Sequence, residues 1–244
     1  YYLTSQYADV IYAFDVVNEY THMSNEGGQV GSENWWKYSF GKEMKTDCEY
    51  VKKAFVWAYD VLQLCDRTDI SLIYNDYNTY DPKTTAQIIE LINNINKVDD
   101  VNKVGKICAG IGMQSHVDIK RPTIEEYGAA LEKFMAAGYE VQITELDFTI
   151  NFNTDGSNPS YDYKNEGETI EEQAAFVKDF MEMVIAKQKN RDKTVSPKGI
   201  TGLTIWGLYD SISWRGKSQP LLFGTSIDDP KPAFQAFLEA SRTK

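Results

Sequence analysis

The sequence predicts an α/β fold built on a parallel β-sheet. Five short apolar segments alternate with longer segments of helical periodicity, and this alternation is typical of repeated β/α units. The apolar segments are nearly continuous in hydrophobic residues, which favours strands covered on both faces. They are IYAFDVVNE (11–19), ISLIYNDYN (70–78), KICAGIGMQ (106–114), EVQITELDF (140–148) and ITGLTIWGLYD (200–210).

The segments between the predicted strands carry signals that begin and end helices. Asp81 precedes Pro82, which places an N-cap residue before a proline at the first helical position. Residues 123–126 and 169–172 both read TIEE, the capping-box pattern. Gly138 follows a helical segment and leads into the fourth strand, as a helix-ending glycine does. No linker or low-complexity tract divides the chain, so one domain is predicted.

Composition excludes several classes of function. The chain has 244 residues, 42% of them hydrophobic, so a sizeable core is possible. The formal charge of −11 argues against nucleic acid and anionic membrane surfaces as partners. No apolar run reaches the ~18 residues of a membrane span. We interpret Cys48, Cys65 and Cys108 as small buried apolar residues, since no CxxC or Cys/His cluster indicates a metal site.

Two sheet architectures fit this alternation: an open doubly wound sheet, or part of a (β/α)8 TIM barrel. No GxGxxG follows any predicted strand, which weakens the nucleotide-binding alternative. Polar residues instead collect at the carboxyl ends of the strands, where barrel enzymes carry their catalytic groups. They are Asn18-Glu19, Asn75-Asp76-Tyr77-Asn78, Gln114-Ser115-His116, Glu145 with Asp147, and residues 206–210.

Glu19 and Glu145 are candidates for a catalytic carboxylate pair. Two carboxylates about 5–5.5 Å apart act as nucleophile and acid/base in retaining glycosidases. Taken singly, each is more readily interpreted as an ordinary loop glutamate that forms a salt bridge. His116 is expected either to tune a carboxylate or to be a hydrogen-bonded structural histidine. Trp206 and Trp214 offer flat faces for sugar rings, with core packing as the alternative.

The motifs at these strand ends are similar to those of glycoside hydrolase family 10, the endo-β-1,4-xylanases. Any one motif is weakly specific, but their shared order and approximate spacing cover nearly the whole chain. Phe14 departs from the pattern, because the family usually has Trp before DVVNE. The motifs are DVVNE, YNDYN, GIGMQSH, ITELD, IWGLYDSISW and the closing segment QPLLFGTSIDDPKPAF.

The resemblance implies a retaining double displacement on β-1,4-linked xylose that needs no metal or organic cofactor. It makes Glu19 the general acid/base and Glu145 the nucleophile. The remaining roles are implied in the same way. Asn18 would contact the sugar 2-hydroxyl. His116 with Gln114 would hydrogen-bond around the nucleophile, and Asp147 would steady His116. Trp206 and Trp214 would line the glycone subsites, Tyr77 with Asn75 would serve the aglycone side, and the role of Arg215 is left open.

The resemblance also implies that the chain carries only the last five β/α units of the barrel. DVVNE resembles the family's fourth strand, and residues 1–9 resemble the tail of the third helix. We therefore expect residues 1–244 to be the C-terminal part of one catalytic barrel. The partner would be a segment that supplies strands one to three. It would be either a separate chain or a part of the same protein that an inserted carbohydrate-binding module separates from residues 1–244.

Three functions remain open at this point. The first is an endo-xylanase acting on xylan or xylo-oligosaccharides. The second is a related retaining β-1,4-glycanase acting on cellulose or mixed glucans. The third is an inactive sugar-binding fragment. A polymeric substrate predicts an extracellular, cell-surface or periplasmic location.

Overall fold

The computed structural model describes residues 10–22, 46–154 and 164–242. Its strands are β1 (Ala13–Asn18), β2 (Ser71–Asp76), β3 (Gly110–Met113), β4 (His116–Asp118), β5 (Glu140–Thr149) and β6 (Ile200–Ile205). Its α-helices are α1 (Glu49–Leu64), α2 (Pro82–Asn96), α3 (Ile124–Ala136), α4 (Ile170–Asn190) and α5 (Pro232–Ser241). None of these helices is long and apolar enough to cross a membrane, within the ranges just given.

The strands form one parallel sheet in the order β1-β2-β3-β5-β6, with β4 pairing to β5 beyond the end of β3. Helices separate the main strands along the chain. The predicted α/β class and the parallel sheet are therefore confirmed. The carboxyl ends of all these strands lie at the same edge of the sheet, because the strands are parallel.

All five predicted strands are present, and four of them are shorter than predicted. The third strand begins only at Gly110 and ends at Met113. The backbone then turns at Ser115, whose φ is 67°. The short strand β4 then follows, and the sequence did not predict it. The last strand stops at Ile205, and residues 210–212 form a 3-10 turn.

The helix-start predictions are confirmed in atomic detail. The Asp81 carboxylate accepts hydrogen bonds from the backbone N–H groups of Lys83 and Thr84 at the start of α2. Thr123 and Thr169 each form a complete capping box at the starts of α3 and α4. These caps satisfy backbone donors that have no partner within the helix.

The core lies between the sheet and the helices. Every residue of β2 and β3 is buried, and α2, α3 and α4 bury their apolar faces against the sheet. Phe148 of β5 packs edge-on against Phe180 of α4, which in turn packs edge-on against Tyr127 of α3. Of the cysteines, Cys108 is fully buried as predicted. The prediction was wrong for Cys48 and Cys65, which lie partly exposed at the two ends of α1.

The two outermost strands are less buried than the strands between them. In the described part of the chain, β1 pairs only with β2, and β6 pairs only with β5. Val10 and Tyr12, just before β1, are 69% and 56% exposed. The predicted helix tail at residues 1–9 and positions 155–163 of the long loop after β5 lie outside the described residues.

Candidate active site

Polar side chains converge where the parallel strands end. Asn18 at the end of β1 is in register with Asn75 of β2, and Asp76 is in register with Met113 of β3. His116 at the start of β4 is in register with Asp147 of β5. This register brings together residues that are far apart in sequence.

Glu145 is held from two sides by hydrogen-bond donors. The side-chain amide of Asn75 donates to Oε1 over 2.9 Å. Nε2 of His116 lies 3.3 Å from Oε2, and the Glu145 side chain is only 14% exposed. Two directed donors stabilise the ionised form of a carboxylate and hold its orientation.

His116 in turn is held by Asp147. Nδ1 of the imidazole donates to Oδ2 of Asp147 over 2.9 Å, and the Trp214 indole N–H donates to the same oxygen over 3.0 Å. Asp147 is fully buried. Burial of the ring acts to lower the pKa of His116, but the hydrogen bonds with Asp147 and Glu145 outweigh it and raise that pKa. A protonated imidazole can donate to both carboxylates at once.

Glu19 is held by a different amide. Nε2 of Gln114 donates to Oε1 of Glu19 over 2.8 Å and lies 3.2 Å from Oδ1 of Asn18. The Asn75 amide donates to that same Asn18 oxygen over 2.9 Å. The side chains of Gln114, Asn18 and Asn75 therefore form a continuous hydrogen-bonded chain from Glu19 to Glu145. The candidate pair belongs to one polar network.

The side-chain contacts of two residues in this network differ from those that the resemblance implied. Gln114 was expected around the nucleophile, but its side chain contacts Glu19, and only its backbone carbonyl accepts a bond from the Glu145 N–H. Asn75 was expected on the aglycone side, but its amide contacts Glu145. The reason is the β1–β2 register, which sets Asn75 beside Asn18 in the middle of the site.

The backbone at the strand ends turns sharply. Glu19 has a φ of 59° and Ser115 a φ of 67°, both in the left-handed region that non-glycine residues seldom adopt. The Glu19 N–H donates to the Asn75 carbonyl over 2.9 Å, and the Ser115 hydroxyl bonds with the Met113 carbonyl. A bond to the neighbouring strand therefore holds the turn at Glu19, and a local bond holds the turn at Ser115.

The predicted aromatic residues follow the carboxyl ends of the strands that carry this network. Trp206 follows β6 and is 45% exposed, and Trp214 is 59% exposed although its indole N–H is bonded to Asp147. The Trp214 ring packs edge-on against His116 with centroids 4.8 Å apart. Tyr77 follows β2 and stacks on His22, with ring centroids 3.6 Å apart.

The site contains further residues that sequence reasoning missed or left open. Thr144 donates its hydroxyl hydrogen to Oδ1 of Asn75 over 2.7 Å, which orients the amide that contacts Glu145. The guanidinium of Arg215 lies over the rings of Trp214 and Phe152, at 4.2 and 4.8 Å from their centroids. Its Nη1 is 3.9 Å from Oδ1 of Asp147. The period-two pattern of β5 signalled Thr144, whereas no local pattern signalled the contacts of Arg215.

Asp15 on β1 is a further charged group near the nucleophile candidate. Partial desolvation, and after it the negative charge of Glu145, raises the pKa of Asp15, although this residue is still exposed to solvent.

Comparison with known proteins then decides the family. The model of glycosyl hydrolase family 10 matches residues 2–240. The chain belongs to glycosyl hydrolase family 10.

Relatives in family 10 match almost the whole chain. Endo-1,4-beta-xylanase A of Butyrivibrio fibrisolvens is 34% identical over 242 residues, which are 98% of this chain and 49% of that protein. A thermostable celloxylanase of Thermoclostridium stercorarium is 31% identical over 247 residues, which cover 98% of this chain and 56% of that protein. The chain therefore spans about half the length of these two relatives.

Solved structures of family 10 share the fold. The xylanase 10B CBM22-1-GH10 modules of Clostridium thermocellum, in complex with xylohexaose, align over 100% of this chain and 43% of that chain, with a TM-score of 0.72 and 27% identity. A structure described as the catalytic core of xylanase A aligns over 98% of this chain and 67% of that chain, with a TM-score of 0.71 and 26% identity. With the parallel sheet, this similarity supports the predicted (β/α)8-barrel fold class.

Proposed function

We propose that this family 10 protein is an endo-1,4-β-xylanase that hydrolyses internal β-1,4-xylosidic bonds with retention. The observation that carries the proposal is the side-chain network between Glu19 and Glu145. Each carboxylate has its own amide donor, and Asn18 joins the two donors. Two carboxylates in different environments are what a retaining glycosidase requires.

In this proposal Glu145 is the nucleophile. Its oxygen attacks the anomeric carbon and forms a covalent glycosyl–enzyme ester as the glycosidic C–O bond breaks. Asn75 and His116 hold the carboxylate in its attacking orientation through the bonds at 2.9 and 3.3 Å. Asp147 and Trp214 hold His116 and so support the nucleophile indirectly.

Glu19 is the proposed general acid/base. It gives its proton to the departing sugar oxygen in the first step and takes a proton from water in the second, so that water releases the sugar with retained configuration. Gln114 donates to Oε1 of Glu19, and that bond orients the carboxyl group.

The exposed polar and aromatic groups are proposed to bind the polysaccharide. Asn18 lies between the two carboxylates and would contact the sugar 2-hydroxyl. Trp206 and Trp214 would line the glycone subsites, and Tyr77 would stack on the aglycone side. The relatives support a xylan chain as the occupant, since several bear xylanase names and one neighbouring structure contains xylohexaose.

A related β-1,4-glucanase activity is the second candidate, because one relative is named a celloxylanase. Both activities would use the same carboxylates and differ in the shape of the glycone subsites. Xylan cleavage well above carboxymethylcellulose cleavage would select the xylanase. Absence of both, with retained binding of xylo-oligosaccharides, would indicate a sugar-binding protein without catalysis.

We further propose that residues 1–244 form the last five β/α units of a single catalytic barrel. The unpaired outer sides of β1 and β6 in the described part support this, because a closed barrel pairs both edges. An N-terminal segment would then pair with both. A cooperative, monomeric and fully active protein made from residues 1–244 alone would refute this.

Because xylan is too large to enter cells intact, we propose an extracellular, cell-surface or periplasmic location, which cell fractionation would test.

The decisive experiment compares Glu19→Gln and Glu145→Gln with the unchanged full-length protein on xylan. Each substitution is expected to lower kcat by about three orders of magnitude or more, since removal of one member of such a pair disables the unit. Glu182→Gln, on an exposed position of α4, is the matched control and should leave activity unchanged. Proton NMR of the first-formed product should show the β-anomer. A loss of only a few-fold in either variant would refute the assignment.

A further inference from the structure

A histidine outside the carboxylate network packs against one of the proposed sugar-binding aromatics. His22 ends the 3-10 turn that directly follows Glu19. Its imidazole stacks on the Tyr77 ring with centroids 3.6 Å apart and an interplanar angle of 19°. The contact therefore joins the turn that follows the proposed acid/base to the residue that follows the end of β2.

A buried carboxylate anchors this histidine. Nδ1 of His22 donates to Oδ1 of Asp76 over 2.6 Å, and Asp76 is completely buried. The backbone N–H of Tyr77 donates to the same Asp76 oxygen over 2.8 Å. Asp76 thus holds the ring of His22 and the backbone of Tyr77 with one oxygen, which fixes the two stacked residues relative to each other.

Asp76 does not depend on His22 for its own hydrogen bonds. Its second oxygen accepts from the hydroxyls of Thr21 and Tyr74 and from the backbone N–H of Thr21. With the Tyr77 N–H, this buried carboxylate already has four donors. The His22 imidazole is therefore one of several donors to this carboxylate, and its distinctive contribution is the flat contact with Tyr77.

We propose that His22 is a positioning residue for the aglycone side of the active site: it holds the Tyr77 ring as a platform for the sugar that leaves with Glu19's help. This inference rests on the proposed function. It places His22 in the recognition of the leaving-group xylose and outside the chemistry on Glu145. Loss of the His22 ring should weaken binding of sugars beyond the cleaved bond and spare the glycone side.

The test uses two substrates in the full-length protein. Xylopentaose places sugars on both sides of the cleaved bond, whereas 2,4-dinitrophenyl β-xylobioside has no sugar beyond it and a leaving group that needs no proton. His22→Ala should lower kcat/KM on xylopentaose about tenfold, mainly through KM. The same variant should stay within about twofold of the unchanged protein on the aryl substrate.

Two matched variants separate the contacts of the imidazole. His22→Asn keeps a donor for Asp76 but removes the ring, so it should reproduce the xylopentaose defect. His22→Phe keeps a flat ring and should retain more of the activity. Tyr77→Ala should match His22→Ala, and the double variant should be no worse than either, because both remove one platform.

The outcomes separate this inference from the proposed function. Equal losses on both substrates would indicate general structural damage and refute it, as would an unchanged KM or additive effects of His22→Ala and Tyr77→Ala. If His22→Ala does not fold, the milder His22→Asn decides by the same criteria. An unchanged protein that cleaves neither substrate refutes the proposed function itself, and the role of His22 falls with it.

Discussion

Nδ1 of His116 lies 2.9 Å from Oδ2 of the fully buried Asp147, while the opposite ring nitrogen contacts Glu145. The imidazole is therefore oriented by one carboxylate and presented to another. This relationship makes Asp147 a positioning residue for the proposed nucleophile, although it does not contact Glu145 through any hydrogen bond described above.

Replacement of Asp147 by Asn should disable this arrangement without removing either catalytic carboxylate. The pKa of His116 should fall, because hydrogen bonding and charge from Asp147 help to raise it above its ordinary value. We expect kcat/KM to drop by about ten- to a hundredfold, the worth of a hydrogen bond to a charged group. NMR titration of the imidazole and the pH–rate profile measure the two effects. Asp100→Asn, at an exposed site, is the control. An unchanged His116 titration would contradict this account.

Gly112 on β3 makes room for the amide that contacts Glu145. A Cβ atom at this position would lie 2.4 Å from Oδ1 of Asn75 and 2.9 Å from Cγ2 of Thr144. Gly112→Ala should therefore displace Asn75 and lower kcat by about tenfold or more, through loss of its hydrogen bond to the nucleophile. Gly128→Ala, on α3 and away from the strand ends, should leave kcat unchanged. Equal kcat values for the two variants would show that Asn75 does not depend on this space.

Glu140 at the start of β5 should make stability depend on pH. Burial acts to raise its pKa, but hydrogen bonds from Lys198, Thr201, Ser71 and Gln142 outweigh this and lower it below 4.5. Because the folded-state pKa is lowered, the Glu140 carboxylate contributes its full stabilisation above its unfolded-state pKa. This stabilisation is lost as pH falls through its folded-state pKa. Glu140→Gln should cost about 1–3 kcal/mol at pH 7.

The gap in unfolding free energy between the unchanged protein and Glu140→Gln should therefore narrow below about pH 4.5. Urea titrations at a series of pH values measure it. A gap of constant size across this range would mean that the Glu140 charge contributes nothing to the fold. Activity at neutral pH should be retained, because Glu140 lies at the end of the sheet opposite the carboxylate network.

The capping box that begins α4 should contribute to stability alone. Thr169→Ala removes the side-chain acceptor of the Glu172 N–H and should cost about 1 kcal/mol in unfolding free energy. Thr169→Ser keeps an oxygen acceptor and should cost much less. Thermal unfolding of both variants, with kcat measured beside it, separates the two effects. A lower kcat in Thr169→Ala would contradict a purely local role.

Structural features that depend on contacts between neighbours in sequence were predictable. The helix starts at Thr123 and Thr169 follow from contacts within four residues, so local spacing was sufficient. Glu19 and Glu145 were predicted as candidates because barrel enzymes carry catalytic groups at strand ends, and a strand end is visible in the sequence. The resemblance to family 10 then supplied roles that position alone did not.

The partners of the site residues were less predictable. Gln114 was expected beside Glu145 but contacts Glu19, and Asn75 was expected on the aglycone side but contacts Glu145. The positive φ of Ser115, the extra strand β4 and the stacking of His22 on Tyr77 were also not visible. Each depends on the register between strands that are remote in sequence.

The sequence by itself determined the α/β class, the five main strands, the helix caps and the two candidate carboxylates, because hydrophobic periodicity and capping are properties of short stretches of chain. Only the tertiary structure decided which amide serves which carboxylate and that His22 stacks on Tyr77. A hydrogen bond requires two atoms within about 3 Å of each other. For groups on different strands, that separation is set by the pairing of the sheet and the packing beneath it.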